Sequence, residues 1–265
     1  MKKYVVLEKP VGQTPLEAVQ AWKGANPTYA NIPASYAGRL DPMASGKLLV
    51  LLGDECKKQK AYTGLDKAYE IEILLDAGSD TGDALGLITY SGQETHVDTR
   101  VLSAILSKER GTHERAYPIF SSKTVKGTPL FLHTLRGTLQ DIEIPTHAET
   151  IYTIRKRNVR SISTGELRAR IEAFLAKVPT STEPSKELGA DFRIEQVRTC
   201  WENFFVQTGD RKFVVLTLSV TCGSGAYMRS LAGRIGEALG SKGLALSIHR
   251  TIIGRYRFGF WWRSF

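Results

Sequence analysis

Residues 68–77 alternate, with Tyr69, Ile71, Ile73 and Leu75 apolar and Glu70 and Glu72 between them. Successive side chains of a strand point to opposite faces, so a period of two commits this segment to a sheet with one buried face. Further strands are expected at Tyr4–Glu8, at Leu48–Gly53, where Gly53 closes an apolar run, at Leu87–Tyr90 and at Phe213–Cys222. Helical signals lie between them. Thr14 is placed as an N-cap, with Pro15 in the first helical position and Glu17 three residues after the cap, ahead of Leu16, Val19 and Trp22. Thr99–Lys108 and Ala226–Leu239 are expected to be helices, as is Gly165–Lys177, which carries Leu167, Ile171, Phe174 and Leu175. Residues 119–139 and 150–163 read as mixed strand and loop. Residues 178–191, rich in Pro, Ser, Thr and Glu, read as an exposed linker. Strands and helices mix without a strict βαβ rhythm, which favours an α+β domain over a doubly wound fold.

Composition narrows the function classes. The 265 residues suffice for one large domain with its own core. No run of about 18 apolar residues is present, so no membrane-spanning helix is expected. Glu8 and Lys9 end the first apolar stretch too early for a signal-peptide core. Cys56, Cys200 and Cys222 are odd in number and lack CxxC spacing, which argues against a disulfide framework or a zinc site and for reduced thiols in the cytosol. Lys and Arg number 36 against 27 Asp and Glu, a net charge of +9. That excess suits a polyanionic partner, although charge alone does not identify one.

Three segments carry candidate chemistry. Asp41 precedes Pro42 in a loop flanked by Gly38 and Gly46. The residue before a proline is held extended, which can project a carboxylate towards an electrophilic carbon. The bland alternative is an ordinary turn residue. Tyr69 heads the alternating strand and offers a flat face and a hydroxyl, or else a core aromatic. Gly223–Leu231 is a Gly-rich turn into a helix that carries Arg229, which can pair with a buried carboxylate or lie on a solvated surface.

Taken together and in order, these segments resemble the TruB pseudouridine synthase family. Lys9–Thr14 is similar to the family's Lys-Pro-x-Gly-x-Thr opening, and Gly38–Gly46 to its Gly-x-Leu-Asp-Pro-x-Ala-x-Gly. Lys67-Ala68-Tyr69 matches its Lys-x-Tyr. Residues 78–86 resemble its Thr-Asp-Thr-x-Asp segment in slightly contracted form, and residues 118–127 its Pro-x-Tyr-Ser-Ala-x-Lys-x-x-Gly. Cys222–Leu239 resembles its Cys-x-x-Gly-x-Tyr-x-Arg-x-Leu helix entry. The resemblance runs from about residue 5 to residue 256. It implies a pseudouridine-synthase-type mixed, largely antiparallel sheet flanked by helices and loops, in one catalytic domain over residues 1–265.

The resemblance also implies isomerisation of uridine to pseudouridine in tRNA, at position 55 of the T-loop, after the base is flipped from its stack. Asp41 would be the nucleophile or handle a ribose proton. Tyr69 would stack on the uracil and act as general base, and Arg229 would hold Asp41 charged. Tyr36, Tyr227, Arg39, Lys9 and Ile248 would contact substrate, with Lys9 supporting the loop rather than reacting. No metal or organic cofactor is implied. The implied partner is the tRNA T-arm, met by a cytoplasmic monomer with no membrane and no obligatory protein partner. A non-catalytic RNA-binding protein, or a synthase for another structured RNA, is the competing reading.

Three departures stand out. Tyr36 occupies a position where the family usually has His. Residues 161–210 form a longer connection than usual and read as an insertion. No C-terminal PUA domain is evident after Tyr256. The aromatics Tyr256, Phe258, Phe260, Trp261 and Trp262 interleave with Arg255, Arg257 and Arg263, either to cap the core or to form a stacking patch.

Overall fold

A computed structural model describes residues 2–178 and 193–265. The chain enters as strand β1 (Tyr4–Lys9) and turns into helix α1 (Pro15–Ala25). The anticipated cap is present: Thr14 Oγ1 accepts from the Glu17 amide at 3.2 Å, and the Glu17 carboxylate accepts from the Thr14 amide at 2.7 Å. Strands β2 (Ala34–Tyr36) and β3 (Ala44–Leu52), helix α2 (Gln59–Thr63) and strand β4 (Asp66–Leu75) follow. A hairpin of β5 (Ala77–Ser79) and β6 (Ile88–Tyr90) brackets the acidic Gly-rich loop. Next come α3 (Thr99–Glu109), β7 (Gly111–Ala116), the short pair β8 (Thr124–Val125) and β9 (Thr128–Pro129), and α4 (Leu130–Leu135). The second half holds β10 (Thr146–Ser163), α5 (Thr164–Leu175), α6 (Ile194–Thr208), β11 (Lys212–Cys222), α7 (Met228–Ala238), β12 (Gly243–Arg257) and β13 (Phe260–Ser264).

The main sheet runs β1-β3-β12-β4-β11-β10-β7, with β2 added to β3 and β13 added to β12. Every pairing is antiparallel except β3 with β12. The α+β class and the largely antiparallel sheet are therefore as expected. In β4, Tyr69, Ile71, Ile73 and Leu75 face one continuous core, which helices α3, α5, α6 and α7 cover. Glu70 and Glu72 point the other way, and Glu72 pairs with Arg160 and Arg170.

Four segments differ from the sequence expectation, each for a tertiary reason. β3 starts at Ala44 rather than Leu48, because β12 pairs with Ala44–Gly46 and extends the strand into the polar loop. Residues 150–163 form part of a single 18-residue strand, whose bulges at Ile151/Thr153 and Lys156/Asn158 break the period of two. β12 lies at the centre of the sheet, although its uninterrupted apolar start has no alternation to mark it. Helix α6 lies inside the 161–210 stretch, where the spacing predicts only the helix at 165–177. It buries Val197, Trp201, Phe204 and Phe205 in the main core, so this part of the stretch is no surface decoration. Of the expected linker only Val178 falls on described residues, and it is buried.

Trp201 anchors α6. It is fully buried, donates its indole N–H to the Ala84 carbonyl at 3.0 Å and stacks on Phe205. Trp201→Ala removes that volume and leaves the carbonyl unpaired. It should cost about 3–5 kcal/mol of unfolding free energy in urea. A loss below about 1 kcal/mol would show that α6 packs only peripherally.

Candidate active site

Five segments from distant parts of the sequence meet around a cleft of about 1060 Å³. That volume is enough for a flipped nucleotide. The loop from Gly38 to Pro42 and the Tyr69 ring form walls, and Lys67 at the head of β4 forms the floor. The 81–85 loop and the start of α7 supply Thr81, Asp83 and Arg229. Phe120 and α4 close the far side.

Arg229 sits at the crossing point. It is 5% exposed, and its Nε donates to Asp41 Oδ2 at 2.7 Å. Its other nitrogens donate to the Thr81 carbonyl and, at 3.0 Å, to the Phe120 carbonyl. Asp83 Oδ2 lies 3.6 Å from Nε. Burial works against the guanidinium charge, but Asp41 and Asp83 outweigh it and hold Arg229 above its usual range. One carboxylate is buried and the other is not: the Asp83 side chain is 5% exposed and that of Asp41 is 45% exposed. Asp41 is thus fixed by one charged hydrogen bond while an edge of its carboxylate faces the open cleft.

The loop that carries Asp41 is held from beneath by buried cations. Arg250, 1% exposed, donates to the carbonyls of Lys47 at 2.7 Å, Arg39 at 3.1 Å and Gly38 at 3.3 Å. Gly46 permits the close approach, since a Cβ there would lie 2.3 Å from the Arg250 carbonyl oxygen. Lys9 is fully buried and donates to the carbonyls of Pro10 at 2.8 Å and Gln13 at 2.7 Å. Burial lowers its pKa to about 8, with Asp41 pulling the other way. Lys67 donates to the carbonyls of Thr63 and Leu65 and, at 3.4 Å, to Ser224 Oγ. Its pKa is likewise lowered to about 8, by burial first and then by Arg250.

The structure brings most of the sequence-derived residues together and separates two. Asp41, Tyr69, Arg229, Tyr227, Arg39 and Ile248 all line the cleft. Lys9 does not, because it has no exposed surface with which to meet a substrate. Tyr36 does not either. Pairing of β2 with β3 packs it on a small separate core with Ala18 and Leu48, away from the cleft. Burial pushes the Tyr69 phenol up to about 12, with Arg250 opposing. At neutral pH Tyr69 is therefore protonated, which is not the state a general base needs. Its ring still forms a wall of the cleft beside Asp41.

Asp83, Arg250 and Glu149 carry no individual signal in the sequence. Asp83 lies inside the 78–86 motif. Arg250 has no signature, being one basic residue in a largely apolar run. Glu149 is 3% exposed and accepts from the Tyr227 amide at 3.2 Å and from Arg234 at 2.7 Å, which anchors the start of α7. Among the described residues no group of three or more His, Cys, Asp and Glu could hold a metal ion.

Burial is also the largest influence on Asp83 and raises its pKa from 3.8 to about 6, against the pull of Arg229. Between those values the folded state keeps a proton that the unfolded chain has lost. The contribution of Asp83 to stability should therefore be greatest at low pH and disappear as the pH rises through about 6. Urea unfolding from about pH 4 to pH 7 should show wild type losing stability relative to Asp83→Asn across that window. A pH-independent difference would remove this assignment.

The family model described as TruB family pseudouridylate synthase (N terminal domain) matches residues 29–173, more than half of the chain. The tRNA pseudouridine synthase B of Cupriavidus metallidurans is 26% identical over 250 residues, covering 94% of this chain and 62% of that protein. The protein of the same name from an Azoarcus species is 27% identical over 252 residues, covering 95% and 65%. The chain thus spans less than two thirds of the length of these curated relatives. Among solved structures, the crystal structure of a Cbf5-Nop10-Gar1 complex matches with a TM-score of 0.55 at 18% identity, covering 95% of this chain and 48% of that one, a likeness of fold. With the family's motif residues gathered around one cleft and its model matching most of the first half, the chain belongs to the TruB pseudouridylate synthase family.

Proposed function

We propose that this protein isomerises uridine to pseudouridine in tRNA, at position 55 of the T-loop. The observation that carries the reading is a half-exposed Asp41 carboxylate, fixed by a buried arginine, in a cleft with an aromatic wall. The reaction breaks the bond from uracil N1 to ribose C1′ and forms one from C5 to the same carbon. The proton on C5 is lost and N1 gains one, so no oxidant or reductant is consumed. The chemistry needs a base lifted from its stack, a carboxylate at the ribose, and a surface that keeps the detached uracil in place.

Each requirement has a residue. Asp41 presents its free edge to the ribose, either as nucleophile or as acceptor of a ribose proton. Arg229 keeps it aimed. Tyr69 and Ile248 wall the uracil, with the Tyr69 phenol as a hydrogen-bonding group, and Tyr227 closes the side towards α7. The two curated relatives are named as tRNA pseudouridine synthases, and the excess of Lys and Arg suits an RNA substrate. No helix among the described residues is long and apolar enough to cross a membrane. A tRNA substrate implies action in the cytoplasm.

Purified protein should form pseudouridine in an unmodified tRNA transcript, read by carbodiimide adducts and primer extension. Asp41→Asn should abolish the product and retain binding of the transcript. Binding without product by the wild type would favour a non-catalytic RNA-binding protein, and full activity of Asp41→Asn would end the aspartate mechanism. Arg229→Lys keeps the charge but loses the forked geometry, and a misplaced carboxylate should slow turnover about 100-fold. Turnover within about twofold of wild type would mean that Arg229 does not position Asp41.

A further inference from the structure

The hairpin formed by the end of β12 and β13 has an unusual surface. Phe258 is 92% exposed, Trp262 71% and Phe260 54%. These rings do not cap the core, a role taken instead by Phe265, which packs on Tyr4 and Tyr62. Arg255, Arg257 and Arg263 are exposed between the aromatics, and no carboxylate among the described residues forms an ion pair with them. At the base of the hairpin a recess of about 470 Å³ is lined by Tyr152, Tyr256, Arg257 and Phe258. Tyr152 and Tyr256 stand 5.4 Å apart there, tilted 34°.

This recess adjoins the reaction cleft. A Cβ on Gly223, which lines the cleft, would lie 3.5 Å from the Tyr152 hydroxyl oxygen. Asp66 accepts from that hydroxyl and from the Tyr256 amide, and the next residue, Lys67, is part of the cleft floor. One residue's thickness therefore separates the two sites.

We propose that the 255–263 hairpin is a second RNA-binding surface, which stacks unpaired bases of the RNA on Tyr256, Phe258 and Trp262 and holds its phosphates with the three arginines. This rests on the reading of the cleft as an RNA site. Flat rings alternating with guanidiniums that have no carboxylate partner among the described residues, Arg263 lying over the Phe265 ring, meet the two demands of a single strand, a π-face for each base and a cation for each phosphate. An apolar protein partner would leave the arginines unpaired, and a second copy of the hairpin would bring six guanidiniums together without a counter-charge.

The test uses the full chain and an unmodified tRNA transcript. Phe258→Ala with Trp262→Ala should weaken binding about tenfold in fluorescence polarisation, with an unchanged melting temperature because both rings are exposed. Separately, Arg257→Gln with Arg263→Gln should lower the slope of log affinity against log salt by about two, one per guanidinium. Wild-type affinity and salt slope in both variants would overturn the proposal. So would a wild-type dimer that the Trp262→Ala change dissolves while RNA binding stays intact. Failure of the function reading looks different: the wild type binds the transcript through the hairpin but forms no pseudouridine.

Discussion

A guanidinium that is almost wholly removed from water must be met by charge and by carbonyl oxygens, or the fold would not tolerate it. Arg229 meets that condition with Asp41, Asp83 and the carbonyls of Thr81 and Phe120. These partners come from three loops that share no neighbouring sequence. Satisfying one cation therefore fixes how the Asp41 loop, the β5–β6 loop and the 120 segment sit around α7. The same contact leaves Asp41 held on one side and open on the other, the condition for a carboxylate to react with a ribose.

A second layer of buried cations sets the height of that loop. Arg250, Lys9 and Lys67 direct their donors mainly to backbone carbonyls, so they act as struts. Burial costs two of them part of their hold on a proton, with both lysines lowered to about 8. The arrangement is stiff because a buried cation cannot release its carbonyls without finding others. Stiffness under the Asp41 loop suits a reaction in which the base detaches and must return to the same sugar carbon.

The opposite character appears at the edge of the same sheet. The terminal hairpin exposes aromatic rings and arginines with no ion-pair partner among the described residues, and its recess shares a wall with the cleft. On the proposed reading, a rigid, carbonyl-satisfied floor and a charged platform beside it would divide two tasks, holding the reacting nucleotide and holding the rest of the strand.

Elements with a local cause can be read from neighbouring residues alone. The capping box at Thr14, the alternation in β4 and the helical spacing of α3, α5 and α7 are written in neighbouring residues, and so they were legible. The motif order likewise singled out Asp41, Tyr69 and Arg229. What the tertiary structure decided depended on partners far along the chain. β12 reads as an apolar run until β3 and β4 flank it, β10 hides its period behind two bulges, and α6 emerges only where Trp201 finds the Ala84 carbonyl. Lys9 belongs to a matching motif and Tyr36 stands just ahead of one, yet complete burial removes Lys9 from any ligand and strand pairing turns Tyr36 to a separate core. Asp83 and Arg250 gained their meaning from burial, which no local pattern encodes: each became part of the site when the fold took away its water.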